Sequence, residues 1–239
     1  MLHGRRIVNE LLKAEVDRHD NLSGFFDYCR FAFNEQDDTA IQYFVSSFSE
    51  LDDDHELWRR YGRGKSVVMR FATHRMGADP AEPFTYYMAR VTYSPREQSQ
   101  LLSPLIYGAR MVVASYVREY GYDLRDDLAI QAAAAKLCSH LNHHSISLKD
   151  ETWSVEHEWR AVFSLLGNDP AERKNRVKLR DDGRPYVDVS IRSVEPDDVH
   201  MPLLSVTLSA CTAKDDIRDK LSEYGYQNVE VKQTLTLAE

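Results

Sequence analysis

Residues 155–165 read Val-Glu-His-Glu-Trp-Arg-Ala-Val-Phe-Ser-Leu, and this stretch constrains the fold more than any other in the chain. Its density of aromatic and β-branched residues is that of a strand. Side chains on a strand alternate between faces, so Glu156, Glu158 and Arg160 share one side while Trp159, Ala161, Phe163 and Leu165 share the other. The apolar side is expected to face a core. The opposite side then presents two carboxylates and a guanidinium, either as a stabilising ladder in water or as the wall of a cleft.

What surrounds this strand decides the fold class. Ile7, Val8, Leu11, Leu12 and Val16 recur at helical spacing and predict an amphipathic helix to about Arg18, followed by a second over Leu22 to Phe33. After the Asp37-Asp38 pair, Ile41 to Ser49 reads as a strand. Asp52 to Asp54 offer an N-cap to a short helix carrying Leu57 and Trp58, which Gly62 and Gly64 end. Strands are predicted over Ser66 to Ala72 and Tyr86 to Tyr93. Pro95 opens a helix to Tyr120 with a kink near Pro104, and Asp126 caps another running through Ala132 to Leu141. Beyond residue 165 come strands Tyr186 to Ile191 and Leu203 to Leu208, helix Lys214 to Tyr224, Gly225 as C-cap and strand Asn228 to Val231. Helices of unequal length with several candidate hairpins predict an α+β arrangement. In 239 residues no Ser, Gly or Pro tract separates halves of different composition, so a single domain over residues 1–239 is expected.

Charge excludes some partners. The 30 Lys and Arg face 38 Asp and Glu, a formal charge of -8, so the surface as a whole repels duplex DNA and anionic lipid. Two local basic runs, Arg59, Arg60, Arg63 and Lys65, then Arg173, Lys174, Arg176, Lys178 and Arg180, read as solvated faces or phosphate contacts. Cys29, Cys138 and Cys211 are unevenly spaced, which argues against a disulfide framework and for buried thiols in a reducing compartment. No stretch has the apolar length of a membrane span, and Met1 to Glu10 lacks the apolar core of a secretion signal. A cytoplasmic protein without a membrane partner is expected.

A second cluster joins Ser47, Ser49 and Glu50 at a strand end to Trp58, Arg59 and Tyr61 and then Gly64-Lys65-Ser66. Hydroxyls beside a Trp, an Arg and glycines can hold a ribose, a phosphate and a flat ring, or merely form a strand end, a packed Trp and a tight turn. His140 and His144 have the i, i+4 spacing of metal ligands and lie near Cys138 and His143, but no further ligand set is apparent, so no metal is expected. A Gly-x-Ser-x-Gly elbow is absent, and Gly64-Lys65-Ser66 lacks the earlier glycine of a phosphate loop.

Taken in order, these residues resemble a known family. Phe48-Ser49-Glu50, Trp58-Arg59-x-Tyr61-Gly62 and the strand from Ser66 resemble the middle signature of the bacterial domain of unknown function 2971 family. Lys149, Trp153 where that family has Phe, Glu156-x-Glu158-Trp159-Arg160, and the ending around Tyr224-Gly225-Tyr226 resemble its later part. The family is distantly similar to ADP-ribosyltransferases, so the resemblance implies a split β-sheet core with flanking helices, NAD as nucleotide cosubstrate and an unknown protein or RNA acceptor, in a defence or toxin setting.

The resemblance also implies roles. Glu158 would steady the positive charge that develops as nicotinamide leaves and Glu156 would orient the acceptor. Ser47 or Ser49 would support the glutamate or ribose, Trp58, Arg59 and Tyr61 would shape the cleft, and Arg160 would contact the nucleotide. Members of that family open with a strand carrying a His-Tyr-Thr-like motif, whereas Met1-Leu2-His3-Gly4 resembles the helix start that follows it. An N-terminally shortened cleft binding NAD weakly or not at all is therefore expected. The alternative is a catalytically inactive module that binds a nucleotide, RNA or protein.

Overall fold

The computed structural model describes residues 2–18, 21–35, 43–62, 66–79, 81, 84–121, 128–165, 175–195 and 200–234. Asp37-Asp38, the start of the strand at Ile41, the basic residues Arg63, Lys65, Arg173 and Lys174, Gly64 and the Asp126 cap lie outside them. The chain forms two compact units, each assembled from two separate stretches. One holds Met1–Ala40 and Ala89–Ser154, the other Ile41–Met88 and Val155–Glu239. A unit that the chain leaves and re-enters needs no linker of distinct composition, which is why none is visible in the sequence.

The first unit is helical: α1 (Leu2–Val16), α2 (Ser23–Asn34), α4 (Pro95–Tyr120) and α5 (Leu128–Ser145). The apolar stripes predicted from periodicity meet inside it. Val8 and Leu12 pack with Phe25, Phe26 and Phe33, with Leu102, Ile106 and Val113, and with Ile130, Leu137 and Leu141. Gly4 lets α1 approach α5 closely, since an added Cβ would stand 2.0 Å from the Ser145 carbonyl oxygen. Pro104 lies inside α4, and Gly121 at φ 66° ends that helix. Cys29 and Cys138 are buried here, with Cys138 Sγ donating to the Cys29 carbonyl at 3.3 Å. The neighbouring Cys138 sulfur, together with burial, pushes the Cys29 thiol far above its ordinary range. Cys211, expected to be buried, is exposed.

The second unit carries the sheets. β1 (Tyr43–Ser49), β5 (Glu158–Leu165) and β4 (Phe84–Arg90) form a three-stranded sheet in the order β1-β5-β4, with β1 and β5 antiparallel. A second sheet has the order β10-β9-β2, from β2 (Val67–Phe71), β9 (Leu203–Leu208) and β10 (Glu230–Gln233). β3 (Met76–Ala78) pairs with β8 (Ile191–Ser193), and β6 (Lys178–Leu179) with β7 (Pro185–Tyr186). The predicted strand Tyr186 to Ile191 is thus not continuous. α3 (His55–Tyr61) and α6 (Lys214–Glu223) complete the unit. The architecture is α+β, with the described strands divided among separate sheets. Ala161, Phe163 and Leu165 of β5 pack with Phe84, Phe44 and Phe48 on the apolar side, as the alternation predicted. Among the described residues no helix is long and apolar enough to cross a membrane.

Candidate functional site

The pairing of β1 with β5 sets opposite one another residues that are more than a hundred positions apart in the chain. Ser49 lies across from Glu158 and Ser47 across from Arg160. Opposed residues of an antiparallel pair project to the same face, so two hydroxyls, a carboxylate and a guanidinium share one side of the sheet. The Ser47 hydroxyl donates to Glu158 Oε1, and the Arg160 Nε donates to the same oxygen at 2.8 Å. Arg160 Nη2 reaches Glu158 Oε2 at 3.4 Å. Glu158 is only 3% exposed and Arg160 7%. That burial excludes a ladder in water, which would leave these groups solvated, and shows the charged side of β5 covered by protein.

Glu156 is tied to the same strand end by a different route. It ends a 3₁₀ turn, Glu151–Glu156, and the strand begins only at Glu158, three residues later than the predicted start at Val155. Between them His157 sits at φ 43°, a left-handed conformation that costs an ordinary L-residue roughly 1–2 kcal/mol. The His157 carbonyl accepts from the Glu50 amide at 3.0 Å, and the Ser49 hydroxyl donates to the Glu156 carbonyl at 2.7 Å. The kinked backbone is thereby tied to the end of β1. Glu156 is itself buried, and its Oε1 accepts from the Tyr61 hydroxyl. Ser47, Ser49 and Tyr61 are exposed, whereas Glu156 and Glu158 are buried.

α3 supplies Tyr61. Its first turn is capped by Asp54, which accepts from the Leu57 amide at 3.0 Å, as the run of aspartates suggested. Trp58 is buried, with its indole nitrogen donating to Asp53 at 2.5 Å and its ring against Gly62, where a Cβ would stand 2.7 Å from it. It therefore packs the helix in place. Arg59 pairs within its own helix. It is exposed and forks onto Glu56 at 2.8 and 2.6 Å, while Arg60 reaches Glu56 at 2.8 Å. The hydrogen bonds from Arg59, then from Arg60, hold the Glu56 carboxyl down to about 2, and Glu56 in turn raises Arg59. Helical i, i+3 spacing turns Arg59 onto its own helix, a local pairing that the sequence spacing contains.

Two further groups lie beside the cluster. The Trp159 indole donates to Glu50 at 2.5 Å on the other face of β5, and Phe48 meets Phe71 of β2 edge to face at 6.0 Å. Glu50 was named only as part of a motif, and its partnership with Trp159 follows from the β1 and β5 register.

Residues 57–161 match the family model described as a protein of unknown function, DUF2971. The match supports the likeness drawn from the motifs, and it runs from α3 to the middle of β5, taking in Tyr61, Glu156, Glu158 and Arg160 while leaving out Ser47 and Ser49. No curated protein and no solved structure matches the chain.

Proposed function

We propose that this chain is an NAD-dependent ADP-ribosyltransferase-like protein of bacterial type, acting on a macromolecular acceptor through Glu158 and Glu156. The observation that carries the reading is the array Ser47, Glu158 and Arg160 across β1 and β5, with Glu156 and Tyr61 beside it. The donor set fits a nucleotide sugar. Hydroxyls and carboxylates complement ribose hydroxyls, and the carboxylates suit a site where positive charge develops. NAD, when bound, supplies the ADP-ribosyl group, with nicotinamide as the leaving group.

The chain's own residues divide the remaining work. Glu158 presents a fixed carboxylate in a partly desolvated setting, where a charge acts more strongly than in water. Arg160 and Ser47 hold that carboxylate in one orientation, so no reorganisation is needed when charge develops nearby. The guanidinium also neutralises part of its charge. In this reading Glu156, whose carboxylate the Tyr61 hydroxyl holds, takes the proton that an acceptor nucleophile gives up. Ser49, donating to the Glu156 carbonyl, ties the backbone kink between the two glutamates to the end of β1.

The burial and pairing of Glu158 favour a second reading, an inactive module in which the same array only holds the strands together. Release of nicotinamide by the purified chain at millimolar NAD, with cell lysate as acceptor source, separates the two, because even a weakly bound nucleotide then gives a measurable rate. Glu158→Gln keeps shape and removes charge, and is expected to lower the rate per folded molecule by about 10²-fold or more. Absence of turnover under all acceptors, with Glu158→Gln altering stability alone, would favour the inactive module.

A further inference from the structure

The second sheet borders a cleft of about 190 Å³ that the candidate active site does not use. Its walls are the segment 200–204 entering β9 and the segment 225–229 joining α6 to β10, with Arg75 at one end. Ligand pockets run to roughly 300–1,000 Å³, so this smaller, open cleft suits a ligand no larger than a mononucleotide.

Its shape rests on a glycine. Gly225 has φ 83°, and an added Cβ would stand 2.7 Å from His200 Nε2. Only glycine combines that backbone with so close an imidazole. The Gly225 amide donates to the Ser222 carbonyl at 3.0 Å and the Tyr226 amide to the Leu221 carbonyl at 2.8 Å, the paired bonds that close a helix end through a left-handed glycine. The closed turn holds Tyr226 beside His200, with ring centroids 5.3 Å apart. Opposite, the His200 carbonyl accepts from Ser193 at 2.9 Å and the Arg75 carbonyl from Val194 at 2.8 Å, which fixes both backbones. Arg75 Nη2 donates to Glu195 at 2.7 Å, and the Glu195 side chain is 57% exposed. A surface pair of this kind exchanges for an incoming anion at small cost.

We infer that this cleft binds a single nucleobase carrying a phosphate, the base against His200 and Tyr226 and the phosphate at Arg75. Histidine and tyrosine rings are the usual stacking partners of an unpaired base. Gln227 and Asn228 line the same cleft, and a carboxamide carries both the donors and the acceptor that a base edge needs. With a formal charge of -8 on the chain, long-range attraction to an RNA backbone is weak. The occupant is therefore a free nucleotide or one unpaired nucleotide of a strand. This site stands independently of the transferase reading.

The test is titration of the full chain with AMP, UMP, adenosine and inorganic phosphate, followed by ligand-observed NMR, with an eight-nucleotide single-stranded RNA as a further arm. Saturable AMP binding is expected, with His200→Ala and Tyr226→Ala each weakening it by roughly tenfold at an unchanged melting temperature. Arg75→Gln should weaken AMP but not adenosine, which lacks the phosphate. His200→Ala and Tyr226→Ala should leave nicotinamide release unchanged, so that this site and the transferase reading fail separately. Tighter binding of the RNA than of AMP would assign the nucleotide to a strand, and equal binding to the free pool. No saturable binding, phosphate competing as well as AMP, or an unaffected Tyr226→Ala variant would overturn the proposal.

Discussion

Replacing Arg160 with Met should be among the most damaging single changes in the sheet unit. Methionine has much of the length of arginine but brings no charge, so the change strands the Glu158 carboxylate, 3% exposed, with the Ser47 hydroxyl as its remaining side-chain donor among the contacts described above. Removing one partner of a buried ion pair costs about 3–5 kcal/mol, because the surviving charge stays in a medium that solvates it poorly. Glu158→Met should cost a similar amount for the same reason. The double variant removes both charges and leaves an apolar pair of similar bulk, so its loss should fall short of the sum of the singles by at least about 1 kcal/mol.

The assay is urea unfolding in a Trp153→Phe background. Fluorescence then reports Trp58 and Trp159, both in the unit that contains the pair, and a separate transition of the helical unit does not contaminate the signal. Single variants that each lose less than about 1 kcal/mol, with a double variant equal to their sum, would refute the reasoning. Such a result would mean that the two charges are solvated in solution.

Gly4→Ala should destabilise the helical unit by about 1–3 kcal/mol through overpacking, since the new methyl would fall 2.0 Å from the Ser145 oxygen; a neutral result in thermal unfolding followed by far-UV circular dichroism would show that α1 does not approach α5 so closely. His143 and His144 carry lowered affinities for protons, chiefly because of burial and then because of neighbouring histidines. Below the unfolded value of about 6.5 the unfolded chain takes up protons that the folded chain refuses, so stability is full above that pH and declines as pH falls through it. Urea midpoints of the helical unit between pH 7 and 5 should fall, and the His143→Gln, His144→Gln double variant should flatten the slope; an unchanged slope would assign it to other groups.

Several elements were legible in the sequence because their causes are local. The helices α1, α2 and α4 follow from apolar spacing over a few turns, the Asp54 cap from a side chain that reaches its own helix, and the apolar face of β5 from alternation. Gly225 was legible for the same reason, since a left-handed helix end favours the residue without a Cβ.

What tertiary structure alone decided was contact across long stretches of chain. Glu158, Arg160, Ser47 and Ser49 could each be singled out in sequence, but only the β1 and β5 register sets Ser47 against Arg160 and its hydroxyl on Glu158. Register depends on strands brought together by the whole fold, and a slip by one residue would have sent every one of these side chains to the other face. Whether the charged side of β5 met water or protein was likewise undecidable from alternation, which gives the two faces but not what covers them. The division into two interleaved units left no trace in composition, because each unit closes only when distant segments meet. The strained His157 is the clearest case. Nothing local asks for a left-handed histidine inside a β-rich run, and only the surrounding ties to Glu50 and Ser49 can hold it there.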